Sequence, residues 1–141
     1  MKNYTLYYLL LIAVIFNLTS CGDKDEDIPA PSKQDLLTAK TWQPSKIIVD
    51  GLDISSNPSF AFALQVNYKF KADKTYIISL LGSSEPGTWE FSSNETVILL
   101  DAGTVDENRW TIVELKENSF KATEIDPSDN SHTQWEFVPK L

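Results

Sequence analysis

Few side chains in this 141-residue chain have a type and spacing suited to chemistry. Glu90, Glu114, Glu124 and Glu136 each alternate with apolar neighbours. Two such carboxylates held ~5–9.5 Å apart across a sugar can act as acid and base in glycoside hydrolysis. The competing reading sets them on the wet face of a sheet, paired with lysines on adjacent strands. That second reading is preferred, because no insertion in the chain would build a cleft. His132 is the only histidine and lies among Asp, Ser and Asn. A catalytic histidine needs a nucleophile and an orienting partner, and no motif supplies them, so His132 is read as a surface-loop residue. Asp126-Pro127-Ser128-Asp129-Asn130 and the acids between Asp23 and Asp27 are rich in oxygen. Calcium takes about six to eight oxygens in a fixed pattern that is absent here, so no metal and no cofactor is expected. Asn94-Glu95-Thr96 fits a glycosylation sequon and is read as a turn formed by Asn94. The aromatic residues Tyr68, Phe70, Tyr76, Trp89, Phe91, Trp135 and Phe137 form the most informative group. They either line a pocket for a planar or hydrophobic ligand or simply fill a core.

The one cysteine, Cys21, carries the clearest chemistry. It ends Leu18-Thr19-Ser20-Cys21, just after the apolar residues 6–16 and a short basic start, Met1-Lys2. Eleven apolar residues fall short of the roughly 20 that cross a bilayer and match a signal peptide. The tetrad resembles the bacterial lipobox. Small side chains admit a peptidase, and the thiol accepts a diacylglyceryl group. The resemblance implies a signal peptide over 1–20 and a lipidated, palmitate-bearing Cys21. Residues 21–32 are charged and then Pro-containing, a composition that cannot bury enough apolar area to offset its ordering entropy. They are expected to form a tether to the membrane. The acidic run after Cys21 is also similar to the surface-export signals of some lipoproteins. The expected location is the outer membrane, on its periplasmic or cell-surface side.

Residues 33–141 must then supply one small domain. The formal charge of the whole chain is −8, and Arg109 is its only arginine. Such an acidic chain repels phosphate backbones, which argues against nucleic-acid binding. A single cysteine excludes an intramolecular disulfide, so packing has to hold the fold. Ser32 is a suitable N-cap for a short helix, with Asp35 three residues on. From Trp42 the pattern turns to strands, predicted over 42–49, 62–70, 75–81, 87–91, 96–100, 109–115, 119–124 and 133–138. Each is rich in β-branched or aromatic residues and bounded by turn formers such as Asp50-Gly51 and Lys116-Glu117-Asn118. Alternation sets Leu64, Val66, Tyr68 and Phe70 on one face, and likewise Trp89 with Phe91 and Trp135 with Phe137. One long link, residues 51–61, contains Pro58 and is a candidate lid. Eight consecutive antiparallel strands with short links predict an all-β up-and-down barrel or a sandwich.

The order of motifs sharpens this. Leu36-Leu37, Lys40-Thr41-Trp42, Tyr68-Lys69-Phe70-Lys71-Ala72-Asp73-Lys74-Thr75-Tyr76, Gly87-Thr88-Trp89-Glu90-Phe91 and Trp110-Thr111-Ile112-Val113-Glu114-Leu115 follow one another. Together they resemble the lipocalin-like domain of small Gram-negative envelope lipoproteins. Two positions depart from that pattern, Lys74 and Lys40, where such domains often carry glycine. The resemblance implies an eight-stranded barrel; it does not imply a ligand. With Leu36 and Leu37 of the short helix closing one end and no catalytic constellation in the chain, a non-enzymatic envelope lipoprotein that binds a small hydrophobic ligand is expected, or alternatively a filled barrel serving as an interaction or structural subunit of an envelope complex.

Overall fold

The computed structural model describes residues 29–92 and 94–141. Cys21, the apolar run and the acidic stretch after Cys21 lie outside the described residues. Residues Pro31–Leu141 form one compact unit. It opens with helix α1 (Lys33–Thr38). The Ser32 hydroxyl accepts the Asp35 N–H at 3.1 Å and the Asp35 carboxylate accepts the Ser32 N–H at 3.0 Å. This reciprocal cap satisfies donors that a helix N-terminus otherwise leaves unpaired.

Nine strands follow: β1 (Thr41–Val49), β2 (Leu52–Asp53), β3 (Asn67–Phe70), β4 (Thr75–Leu80), β5 (Ser83–Phe91), β6 (Val97–Leu100), β7 (Asn108–Lys116), β8 (Ser119–Ile125) and β9 (His132–Pro139). All described pairings are antiparallel, and β1 pairs with both β3 and β9. Eight strands therefore close into an up-and-down barrel, with β2 folding back on β1. Closure removes the open edges that would recruit other strands. Bulges adjust the wall twice. One, between Pro44 and Lys46, lets a proline sit within β1. The other, between Ile112 and Glu114 in β7, turns Val113 outward, where it is 57% exposed.

Strand topology gives the barrel two unlike ends. At one, α1 lies against the β3–β4, β5–β6 and β7–β8 turns. Lys33 donates to the Glu95 carbonyl at 2.6 Å, Lys40 to Asn118 at 2.6 Å and Lys74 to Gln34. Leu37 is fully buried there, and its carbonyl accepts the Trp42 indole N–H at 2.9 Å. This end is plugged. The opposite end carries the β1–β3 and β6–β7 connections and the β4–β5 and β8–β9 turns.

Three predicted elements differ from those observed. The predicted strand over 62–70 begins only at Asn67. Its first part is a 3-10 turn, closed by Gln65 N–H to the Phe62 carbonyl and Val66 N–H to the Ala63 carbonyl. Leu64 and Val66 alternate as strand residues would, but no neighbouring strand pairs with them. The fifth strand starts at Ser83 rather than Gly87, because the whole stretch pairs with β4. Pro86 is tolerated there because β5 pairs with β6 only from Trp89 onward. The long link carries the short strand β2 and 3-10 turns at Pro58–Phe60 and Ala63–Gln65.

Candidate functional site

The core is aromatic from the plug upward. Trp42, Phe70, Trp89, Phe120 and Phe137 are at most 2% exposed. Phe120 stacks on Phe137 at 4.8 Å, and Phe70 meets Trp89 edge-on at 5.7 Å. Three of the four indole N–H groups have acceptors: Leu37 O for Trp42, Lys71 O for Trp89 and a Glu124 carboxylate oxygen for Trp110. The Trp135 Nε1, also buried, has no partner among the described residues.

The seven aromatic candidates therefore separate. Phe70, Trp89 and Phe137 are core, and Phe91 and Trp135 are partly buried against it. Tyr76 is also buried in the core and Tyr68 packs against it, but both line a cavity as well. This cavity measures ≈ 380 Å³ and opens to solvent. Its origin is a mismatch of strand lengths. β5 runs from Ser83, but β6 stops at Leu100, opposite Trp89. Above that point the wall between β5 and the β6–β7 loop is notched. Glu85 and Pro86 form one lip, and Asp101, Asp106 and Asn108 the other. Tyr68, Tyr76, Ile78, Leu100 and Trp110 make the interior wall.

Asp101 fixes the foot of the notch. Its backbone N–H donates to the Thr88 carbonyl at 2.8 Å, and its carboxylate accepts the Thr88 N–H at 2.8 Å. The same carboxylate accepts the Tyr76 hydroxyl. Asp101 has φ 49, a left-handed conformation that Asp tolerates better than most residues. The Tyr76 ring lies across Gly87, its partner on β5. A Cβ at Gly87 would overlap that ring, so only glycine leaves it room.

Glu124 lies on the inner face with Phe120 and Ala122. One of its oxygens accepts from the Trp110 indole at 2.8 Å and from the Asn108 amide at 3.0 Å. Burial, with the Glu124 charge adding to it, pushes the Tyr68 hydroxyl up to about 12. Burial and the bond to Asp101 raise the Tyr76 hydroxyl as well. Both phenols are thus held neutral.

The other carboxylates do not converge. Glu90 is exposed. Glu114 binds Lys116 and Ser119, and Glu136 pairs with Lys121 at 3.1 Å. His132 is exposed, and its backbone N–H donates to Asp50 at 2.9 Å. Asp126 uses a carboxylate oxygen on the Ser128 hydroxyl and N–H, which hold its carboxyl below the usual range. Asn94 organises its turn by accepting from Ser92 and Thr96. Sequence reasoning passed over the rest of the lining, Trp110, Ile78 and Leu100 on the inner wall and Glu85, Pro86, Asp101, Asp106 and Asn108 at the lips. Trp110 alternates with Ile112 in a predicted strand, which was the available signal.

A closed eight-stranded barrel, plugged at one end and notched at the other, defines a small barrel with room for side chains or for one small ligand. The family model described as a lipocalin-like domain matches residues 38–122, and the chain belongs to that family. Its fold is similar to that of a DUF4847 family protein from Bacteroides vulgatus, at 13% identity and TM-score 0.54, covering 76% of this chain and 96% of that one. A bovine odorant-binding protein complexed with its natural ligand aligns at 15% identity and TM-score 0.48, over 79% of this chain and 76% of its own. No curated protein matches the chain.

Proposed function

We propose that this protein is a lipid-anchored envelope lipoprotein whose barrel binds one small hydrophobic molecule in the notch beside β5. The observation that carries the reading is the cavity itself. At ≈ 380 Å³ it falls within the range of about 300–1,000 Å³ typical of small-molecule sites. Tyr68, Tyr76, Ile78, Leu100 and Trp110 give it an aromatic and aliphatic floor, and Glu85, Asp101, Asp106 and Asn108 give it a polar rim. The scattering of Glu90, Glu114, Glu124 and Glu136 removes the carboxylate pairs that the sequence offered for glycoside hydrolysis. The lipobox-like tetrad at Cys21 supports anchoring at the outer membrane, on the periplasmic or cell-surface side. The described chain enters the barrel at α1, on the plugged end.

Two measurements test this. A thermal-shift screen of small apolar molecules should find a ligand that raises Tm, since binding to the native state alone stabilises it by mass action. Trp110→Ala should abolish that shift, and a screen with no stabiliser would reject the binding role. For the anchor, Cys21→Ser should eliminate palmitate labelling and release the protein from membranes. Unchanged labelling would refute the assignment.

A second reading is a non-enzymatic subunit of an envelope complex. It is favoured by apolar side chains on open-end connections, with Leu52, Phe62 and Leu81 59–74% exposed and Val105 fully exposed. Cross-linking that captures one envelope partner at Phe62 and Leu81 would support it over ligand binding.

A further inference from the structure

The notch has a second chamber. A cavity of ≈ 370 Å³ lies along the same inner face of the β4–β5 hairpin, lined by Val66, Ile78, Leu80, Leu81, Ser83 and Glu85. It shares Ile78 and Glu85 with the notch. The two chambers are therefore adjacent and differ in chemistry. One is walled by the aliphatic side chains Val66, Ile78, Leu80 and Leu81, with Ser83 and Glu85 at its polar edge. The other has three aromatic rings, Tyr68, Tyr76 and Trp110, beneath the carboxylates Glu85, Asp101 and Asp106.

Among the described residues, no lysine or arginine lines either chamber. Asp101 is engaged by Tyr76 and Thr88. The side chains of Glu85 and Asp106 have no hydrogen-bond or ion-pair partner among the described residues. Charge is also divided between the barrel's ends. Lys33, Lys40, Lys71, Lys74 and Lys140 lie on or just after α1, in the β3–β4 turn or after β9, all at the plugged end, where Asp35, Asp73, Glu95 and Glu117 offset part of their charge; the open end has Arg109 beside its acids. Asp50, Asp101, Asp106, Asp126 and Asp129 lie on open-end connections.

From this we infer that the ligand is an amphiphilic organic cation, an ammonium group carrying an apolar tail. This deepens the binding reading above and rests on it. The tail occupies the aliphatic chamber. The ammonium lies between Glu85 and Asp106, over the rings of the notch. Aromatic faces attract cations through their quadrupole, and the two carboxylates supply the opposite charge. A fatty-acid anion of the same length meets only like charge there, and like-charge juxtaposition is a strong element of specificity.

The test compares three probes with one tail: decylammonium, 1-decanol and decanoate, titrated calorimetrically into the full-length protein below their aggregation concentrations. Decylammonium should bind tightest and decanoate weakest, with a gap of about ten-fold or more between them. The double variant Glu85→Gln/Asp106→Asn should shrink the ratio of decylammonium to decanol affinity. Both side chains are exposed and unpaired, so the fold tolerates the change, and the comparison of probes on the unaltered protein stands without it. Decanoate binding as tightly as decylammonium overturns the cation assignment while leaving a hydrophobic site in place. A preference that survives the double variant also overturns it, because charge elsewhere would then be responsible. Failure of all three probes to bind overturns both this inference and the binding reading on which it rests.

Discussion

Lys74 stands at a position where the lipocalin-like pattern often has glycine, and its backbone shows why. Its φ is 68, the left-handed region that an L side chain enters at a cost of about 1–2 kcal/mol. The side chain offsets part of that by lying over Trp89, with Nζ 4.3 Å from the ring centroid. A cation over an aromatic face contributes about 0.5–1 kcal/mol at exposed sites. Lys74→Gly relieves the backbone and loses the ring contact, so its stability should stay within about 1 kcal/mol of the native protein. Lys74→Ala loses the contact and keeps the strained backbone, so it should be the less stable of the two in urea denaturation. Equal stability of the two variants would show that the backbone conformation carries no cost. Tyr68 gives a pH dependence. Its hydroxyl is raised from 10.0 to about 12 by burial and by Glu124. A group raised in the folded state contributes its full stability below its unfolded value, and loses it as pH climbs through the folded one. The denaturation midpoint should therefore fall between pH 10 and 12. Tyr68→Phe should flatten that fall, and Tyr76, raised too, should leave a residual slope. An identical alkaline profile for Tyr68→Phe would remove Tyr68 from this account.

Helix α1 has only six residues, too few to be stable on propensity alone. The Ser32–Asp35 cap and the burial of Leu37 hold it, and through the Leu37 carbonyl it also seats Trp42. Ser32→Ala should cost about 1 kcal/mol and speed hydrogen exchange in α1 while leaving β8 and β9 unchanged. Loss of protection across the whole barrel would mean that the plug and the wall fold as one unit. This helix was legible in the sequence because caps are local chemistry, and so was the barrel, since alternation in segments such as Thr88-Trp89-Glu90-Phe91 sets faces without further context. The short segments were harder to read. Residues 62–66 alternate like a strand, yet a strand also needs a partner, and the chain turns before one is reached. Ser83–Pro86 reads as a turn by composition, but β4 is long enough to hold it in the sheet. The notch follows from that same extension. It depends on where β5 continues and β6 stops, a comparison of two strand lengths that neither strand encodes alone. Tyr68 and Tyr76 could be picked out as aromatic residues of interest. Their separation from Phe70, Trp89 and Phe137 required the notch to be known.

Across the molecule, the barrel is not uniformly closed. β1 pairs with β9 from Trp42 to Val49, but with β3 only at Thr41↔Lys69 and Trp42↔Tyr68. Trp42 thus anchors both sides of the seam near the plug, and above it β1 and β3 part. The gap is covered by the 3-10 turn Ala63–Gln65, which the Gln43 amide holds by donating to the Leu64 carbonyl at 2.9 Å. Residue 66, just after that turn, lines the aliphatic chamber. A cover held by few bonds opens at lower free energy than a paired wall. Backbone amides of residues 63–66 should therefore exchange much faster than those of Ile48, Phe120 and Trp135, which lie within continuous ladders. Gln43→Ala should accelerate exchange at 63–66 further without changing those three. It should also raise both the association and the dissociation rate of any ligand that reaches the aliphatic chamber through the seam, leaving the equilibrium constant nearly unchanged. Rates insensitive to Gln43 would assign entry to the notch between β5 and the β6–β7 loop alone, with the seam serving only to close the barrel.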